Sequence, residues 1–157
     1  ARVSSNVGFV EAGWATNVVT PHLALRAEVR SHDPKFRKKL LDEFRKAFER
    51  AARRVANGAG KRGRVHFRSD LKYESFCLEP DEPSVTAALA AIRAVGLEAD
   101  TRIVNGGLDA NWMTAHGYST VTIGCGQRNP HTVDECLVVD DYLNACRIGL
   151  LLACGAA

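Results

Sequence analysis

The chain lacks any long hydrophobic run, and this excludes a membrane-spanning helix. Its longest strongly apolar stretch, residues 148–154, is far shorter than the roughly 20 residues that a helix needs to cross a bilayer. No charged-then-apolar leader opens the sequence, so we expect no secretory signal peptide and no membrane partner. The sequence begins at Ala1 without a methionine, which we interpret as the start of a trimmed or processed piece.

Paired cysteine motifs are also missing. The five cysteines form an odd set without a CxxC pair, which argues against a disulfide framework and against a structural zinc knuckle. Free thiols persist in a reducing compartment. We therefore predict a cytoplasmic protein.

The composition is that of a globular protein, with 157 residues, 46% hydrophobic and 25% charged. The formal net charge is only +3, but residues 35–54 contain nine basic and three acidic side chains. The aromatic residues of this segment, Phe36, Phe44 and Phe48, follow its apolar stripe and do not alternate with the basic residues. We expect a solvated basic helix face and no nucleic-acid partner. The competing interpretation, nucleic-acid binding, predicts a steep salt dependence.

The first third of the sequence predicts two strands and a long helix. Apolar and polar residues alternate over residues 23–30, the period of a strand with one buried face. An apolar segment at residues 7–10 and a turn at residues 20–22 predict an antiparallel partner for that strand. Asp33 then predicts a helix N-cap, with the helix running from Pro34 to the glycines at 58 and 60.

The rest of the sequence alternates predicted strands and helices. Strands are expected at residues 65–74, 102–104 and 119–123. Helices are expected from about Val85 to Gly96, in a short segment ending at Gly117, and over residues 140–154. The fold class predicted is α+β to α/β, a partial ferredoxin-like sandwich followed by a helix–strand–helix portion.

The loop at residues 124–135 contains the strongest candidate for chemistry. Pro130 restricts the backbone before His131, and the carboxylates of Asp134 and Glu135 are close enough in sequence to orient its imidazole. A surface histidine with acidic neighbours explains the same pattern, and the spacing alone favours that interpretation. Cys125, in the same loop, lacks a paired base and is a weak nucleophile candidate.

Several other residues are candidates for binding a carboxylate. Gly106 and Gly107 can expose backbone amides, although a tight turn explains the pair as well. Asn17 and Arg30 can donate hydrogen bonds together, although each alone is more simply a turn residue and a solvated charge. Asp109 is expected only to cap the helix after the glycines. No role is predicted for the isolated histidines, His22, His32, His66 and His116.

Four stretches together resemble one family. They are residues 13–19 (GWATNVV), 25–31 (LRAEVRS), 105–111 (NGGLDAN) and 124–135 (GCGQRNPHTVDE). In this order they resemble the co-catalytic zinc exopeptidases, which include peptidase T-like tripeptidases, glutamate carboxypeptidase-like enzymes and the acetylornithine deacetylase group. The similarity spans nearly the whole chain and is greatest to the peptidase T-like branch.

The resemblance implies a zinc-dependent exopeptidase that hydrolyses short peptides by a metal-activated water. Residues 1–77 would be a lid that forms a homodimer, without its first strand and helix, and residues 83–157 the end of an α/β catalytic domain. His131 would be the last ligand of a two-zinc centre. Asn17 and Arg30 would reach from the lid to the peptide substrate, with Gly106 and Gly107 beside it.

The family's remaining metal ligands and its catalytic glutamate have no counterpart in these 157 residues. The resemblance therefore implies no catalytic residue in this chain and a missing N-terminal catalytic half. We expect the isolated chain to be inactive. The alternative is a non-catalytic ferredoxin-like dimerisation or binding module, which a natural start codon next to Ala1 would favour. An upstream reading frame rich in histidine and carboxylate residues would favour the enzyme.

Overall fold

The computed structural model describes residues 3–155. The first two residues of the predicted domain 1–77 and the last two of the predicted domain 83–157 therefore lie outside the described residues. It divides into two compact units. Unit 1 comprises the chain up to Ser75 together with Val104–Gly106, and unit 2 comprises Phe76–Ile103 and the residues from Gly107 onward. The elements are β1 (Val3–Ala12), β2 (Leu23–Ser31), α1 (Pro34–Arg54), α2 (Pro83–Ala94), α3 (Asp109–Ala115), β3 (Gln127–Arg128), β4 (Cys136–Leu137) and α4 (Val139–Ala153).

In unit 1, β1 and β2 form the antiparallel pair that the sequence predicts. Their register runs from Val3 opposite Ser31 to Ala12 opposite Leu23. It is interrupted by a β-bulge, because Val7 pairs with Ala27 whereas Phe9 pairs with Arg26, which leaves Gly8 as the extra residue.

The bulge decides which side chains share a face of the hairpin. Directly opposite residues lie on the same face, so Val7 opposite Ala27 and Val10 opposite Leu25 share one face despite their odd spacing. Phe9 lies on the other face, where the guanidinium carbon of Arg26 is 4.7 Å from its ring centre. The extra residue therefore aligns the apolar residues of β1 with the apolar residues of β2.

The start of α1 is confirmed. The Asp33 carboxylate accepts hydrogen bonds from the backbone amides of Lys35 at 2.8 Å and Phe36 at 3.1 Å, and Pro34 begins the helix. These bonds satisfy amides that have no partner within the helix. The helix packs on β2, and the rings of Phe44 and Phe48 lie 6.3 Å apart on it.

The end of α1 differs from the prediction. The helix ends at Arg54, before the glycines, and Val55 is extended. The Asn57 side chain accepts hydrogen bonds from the amides of Ala59 at 3.0 Å and Lys61 at 2.9 Å. This local turn competes with helix continuation, which is why the asparagine and not a glycine marks the end.

Three segments predicted as strands form no strand ladder within the part of the chain that the structure describes. They are residues 65–74, 102–104 and 119–123. An alternating pattern indicates a half-buried surface, but a strand also needs an edge with which to pair. The first segment is instead tied to α1 through two hydrogen bonds from the Arg37 guanidinium to the Glu74 carboxylate, at 2.9 and 3.2 Å.

In unit 2, small side chains let α2 and α4 pack closely. Val85, Ala88 and Ala91 lie one turn apart on α2 and are buried, as is Ile148 on α4. Helices α2, α3 and α4 follow one another in the predicted order, but the strand expected between the last two at residues 119–123 does not form, and the short strands β3 and β4 lie there instead. Across residues 3–155, no helix combines the length and the hydrophobicity that crossing a membrane requires.

Candidate functional site

The loop that contains His131 is a β-hairpin followed directly by α4. Gln127 pairs with Leu137 and Arg128 with Cys136, and the Val138 amide donates to the Gly126 carbonyl at 2.9 Å. The sequence predicted a loop here and missed the two short strands. Their pairing brings residues 127 and 135 together and leaves the tip, residues 129–134, exposed.

Gly126 is required by the close approach of this hairpin to α4. Its φ is +82°, and a Cβ added there would lie 2.7 Å from the Val138 carbonyl oxygen and from Asp141 Cβ. The Arg128 guanidinium also bonds the Asp141 carboxylate at 2.9 Å. The hairpin is therefore fixed to the first turn of α4 by both backbone and side-chain contacts.

His131 lies at the tip in a conformation that L-residues rarely adopt. Its φ is +66°, and Asn129, two residues earlier, has a φ of +48°. The His131 amide donates to the Glu135 carboxylate at 2.6 Å. Because the side chain is exposed and the backbone is held, the imidazole projects from an ordered turn.

The Glu135 carboxylate has a different role from the one predicted. The sequence placed Asp134 and Glu135 as partners of the imidazole ring, but Glu135 accepts from the His131 backbone amide and from the Gln127 side-chain amide at 2.7 Å. These two hydrogen bonds, that from His131 first, hold the pKa of Glu135 below its ordinary value. The described hydrogen bonds of this carboxylate are with amides and not with the ring, so it fixes the main chain of the tip.

The residues around His131 do not form a metal site by themselves. Among residues 3–155, no group of three or more histidine, cysteine, aspartate and glutamate side chains is arranged to hold a metal ion. A protein zinc ion takes three or four protein ligands, and Glu135 is already committed to hydrogen bonds within the turn. His131 alone remains as a candidate ligand, which stays a prediction.

In unit 1, Arg30 lies beside the backbone of the segment at 104–106. Its Nη1 donates to the Asn105 carbonyl oxygen at 3.0 Å, and its Nη2 donates to the Glu28 carboxylate at 2.9 Å. The hydrogen bond with Glu28 raises the pKa of Arg30, against the opposing effect of partial burial. Arg30 Nε and Asn105 Oδ1 are buried without a described hydrogen-bond partner.

A second contact tethers the same segment. The His32 ring nitrogen Nε2 lies 3.0 Å from the Val104 carbonyl oxygen. Sequence reasoning gave His32 and Asn105 no role, because only the fold brings them together. The structure thus places Arg30 and the residue preceding Gly106 side by side.

The other predicted site residues occupy separate positions. Asn17 is exposed in the loop between β1 and β2, and no described contact joins it to Arg30, which pairs with Ser4 near the opposite end of the hairpin. Gly107 belongs to unit 2 and precedes α3.

The predicted cap of α3 is wrong. Asp109 is the first residue of the helix, and Leu108 occupies the N-cap position. The Leu108 amide donates to the Asn111 side-chain oxygen at 2.9 Å. Asn111 is buried and reaches back to that amide, so the polar group that secures this end lies within the helix.

The chain matches proteins of known family over nearly its whole length. The model of the peptidase family M20/M25/M40 matches residues 5–154. An uncharacterized protein of Bacillus subtilis (strain 168), YqjE, is 28% identical over 142 residues, which are 90% of this chain and 37% of that protein.

Two solved structures are also similar. The aminopeptidase PepT from Bacillus cereus ATCC 10987 has a TM-score of 0.67 and 25% identity. A tripeptidase from Staphylococcus aureus subsp. aureus Mu50 has a TM-score of 0.70 and 27% identity. Each covers 96% of this chain, which spans 39% of either structure. These matches confirm the predicted family and the mixed α and β fold class, and the chain belongs to the peptidase family M20/M25/M40.

Proposed function

We propose that this chain is part of a zinc-dependent exopeptidase that hydrolyses short peptides, and that the isolated chain is inactive. The family match supports peptidase chemistry, and the two similar structures are an aminopeptidase and a tripeptidase. The chain spans about two fifths of those proteins. The activity therefore belongs to a larger protein of which this chain supplies one part.

The observation that carries this proposal is the contact between Arg30 and Asn105. This contact joins the motif at residues 25–31 to the motif at residues 105–111, and Arg30 and Asn105 are 75 positions apart in sequence. Gly106 is the residue directly after Asn105. The Arg30 side chain is 31% exposed, and the described hydrogen bonds use two of the five N–H donors of its guanidinium. Nε is buried, so the second N–H of Nη1 and that of Nη2 are the donors suited to the carboxylate of a short peptide. The amides of Gly106 and Gly107 are proposed as further substrate contacts. Asn17, near the other end of the hairpin, is proposed as a substrate contact that does not share a ligand group with Arg30.

The contribution of this chain to metal binding is proposed to be His131 alone. One imidazole does not make a zinc site, and the described residues hold no further cluster of ligands. The other ligands and the catalytic base would come from the N-terminal half of the protein, outside these 157 residues. Two zinc ions are proposed for that completed site.

The isolated chain provides the test. We expect no stoichiometric zinc after dialysis, measured by elemental analysis, and no release of amino acids from di- or tripeptides, measured by chromatography. Stoichiometric zinc together with peptide turnover by the 157-residue chain would overturn the proposed inactivity. The reading frame upstream of Ala1 tests the rest, since the proposal requires histidine and carboxylate ligands there.

We propose further that the chain dimerises through the β1–β2 hairpin. Every residue of β1 is exposed, and Val10 is 59% exposed on its apolar face. A long exposed strand favours pairing with a second copy. The same surface favours the alternative of a non-catalytic dimerisation module. Analytical ultracentrifugation showing only monomer at high concentration contradicts the dimer in either case.

The cytoplasm is proposed as the compartment. All five cysteines are free and exposed, a state that a reducing environment maintains.

A further inference from the structure

The tip of the hairpin is held by one carboxylate with two short hydrogen bonds. Glu135 Oε2 accepts the His131 amide at 2.6 Å, and Oε1 accepts the Gln127 side-chain amide at 2.7 Å. Both acceptors are on the same ionised group, and charge-assisted hydrogen bonds are about twice as strong as neutral ones. Gln127 belongs to β3. The carboxylate therefore links the strand of the hairpin to the backbone of its tip.

The conformation of His131 needs such a contact. An L-residue at a φ of +66° is strained, because its Cβ approaches the backbone, and it stays there only when its surroundings fix it. The other backbone hydrogen bonds of the tip are longer. The Thr132 amide lies 3.3 Å from the Asn129 carbonyl, and the Glu135 amide lies 3.3 Å from the Thr132 carbonyl.

The backbone conformation in turn sets the direction in which the His131 side chain leaves the main chain. The Cα–Cβ bond of His131 is fixed once its φ is fixed, and the ring makes no hydrogen bond among the described contacts of residues 3–155. The described hydrogen bond between His131 and Glu135 therefore comes from the main chain and not from the ring. A carboxylate bonded to the ring would instead select its tautomer.

We propose that Glu135 is a positioning residue for His131, holding its backbone in the left-handed conformation so that the Cα–Cβ bond, from which the imidazole extends, points in one direction. The use of that direction for metal binding rests on the function proposed above. The positioning does not, since it is a property of the hairpin in this chain. An experiment can therefore contradict the positioning of His131 without contradicting the proposed function, and the reverse.

NMR spectroscopy of the isotope-labelled 157-residue chain tests the positioning. In Glu135→Ala we expect the His131 amide proton to move upfield, its exchange with solvent to rise about tenfold or more, and its Cα and Cβ shifts to leave the left-handed range. The matched control is Asp134→Asn, since the neighbouring Asp134 side chain makes no described hydrogen bond. That variant should leave the His131 signals unchanged.

Glu135→Gln separates positioning from general stability. The amide keeps one oxygen acceptor without charge, so we expect the β3 and β4 amides to remain protected while exchange at the His131 amide rises. Unchanged His131 amide shift and exchange in Glu135→Ala would overturn the proposal. Equal loss of protection at His131, Gln127 and Cys136 in both variants would also overturn it, because Glu135 would then support only the hairpin as a whole.

Metal binding is measured in experiments separate from those on the His131 signals. Zinc binding and peptide turnover by the isolated chain test the proposed function and not the positioning. If the His131 signals respond as expected and the upstream reading frame encodes no ligands, the positioning holds and the proposed zinc-dependent function fails.

Discussion

Arg30 donates from Nη1 to the carbonyl oxygen of Asn105 at 3.0 Å, although 75 positions separate the two residues. With the contact of His32 to Val104, it anchors residues 104–106 to the end of β2. This anchor explains why a three-residue segment from the second half of the sequence belongs to unit 1.

We expect Arg30→Ala to lower the free energy of unfolding of unit 1 by about 1–2 kcal/mol. The variant removes a charged donor from the partly buried Asn105 carbonyl, and an unsatisfied buried acceptor costs free energy. Urea denaturation followed by circular dichroism measures the change. The control is Arg68→Ala. The Arg68 side chain is exposed, so the loss of its ion pair with Asp70 should change the free energy of unfolding little. Equal effects of the two variants would contradict the anchor.

Asp33→Ala is expected to destabilise α1 by about 1 kcal/mol, since two backbone amides lose their acceptor. Helical circular dichroism during thermal unfolding measures this loss. Asp81→Ala is the comparison, because Asp81 is exposed and its side chain makes no described hydrogen bond. A melting temperature that falls equally in both variants would show that the cap contributes nothing specific.

Gly126→Ala and Gly124→Ala should differ sharply. The first places a Cβ 2.7 Å from two atoms at a φ of +82°, whereas the second meets nothing within 4 Å. We expect Gly126→Ala to cost about 2 kcal/mol or more, because strain and a backbone clash add, with Gly124→Ala within about 0.5 kcal/mol of the wild type. Chemical denaturation measures both. Similar stabilities would mean that the hairpin does not approach α4 as closely as described.

The hydrogen bond between Arg45 and Asp42 predicts how the stability of α1 depends on pH. The hydrogen bond from Arg45, at 2.9 Å, is the main reason why the pKa of Asp42 is lowered. A carboxyl with a lowered folded pKa stabilises the fold above its unfolded pKa of about 3.9 and loses that effect as the pH falls through the folded value. We expect α1 to weaken in acid below that range.

Carboxyl-carbon NMR titration of Asp42 measures this directly. The midpoint should lie below the ordinary aspartate value and rise toward it in Arg45→Gln. An unchanged midpoint in that variant would show that Arg45 is not the cause.

The sequence predicted those parts of the fold that depend on neighbouring residues. The start of α1 follows from Asp33 and Pro34, and the pairing of β2 follows from its alternation. The segment at 65–74 has the same alternation but no ladder, because pairing depends on an available edge and not on the pattern. The same limit explains why residues 102–104 and 119–123, also expected as strands, form no ladder among the described residues.

The candidate site was predictable only in part. Motif resemblance predicts roles for Arg30 and His131, and these stay predictions, but their neighbours depend on the fold. Asn105 meets Arg30 through its backbone carbonyl, so its side-chain type carries no signal for the contact. For Glu135, the sequence indicated an acidic partner near His131, and the turn decides that the partner binds the amide.

The extra residue at Gly8 lets the β1–β2 hairpin absorb a change of one residue in the length of β1. Deleting that glycine would join Val7 directly to Phe9 and keep the present partners, so Val7 and Val10 would stay on one face of an unbroken ladder. Straightening the strand with Gly8 retained would instead put these two valines on opposite faces. Homologous chains that are one residue shorter at this point should therefore have a regular strand with the same apolar face.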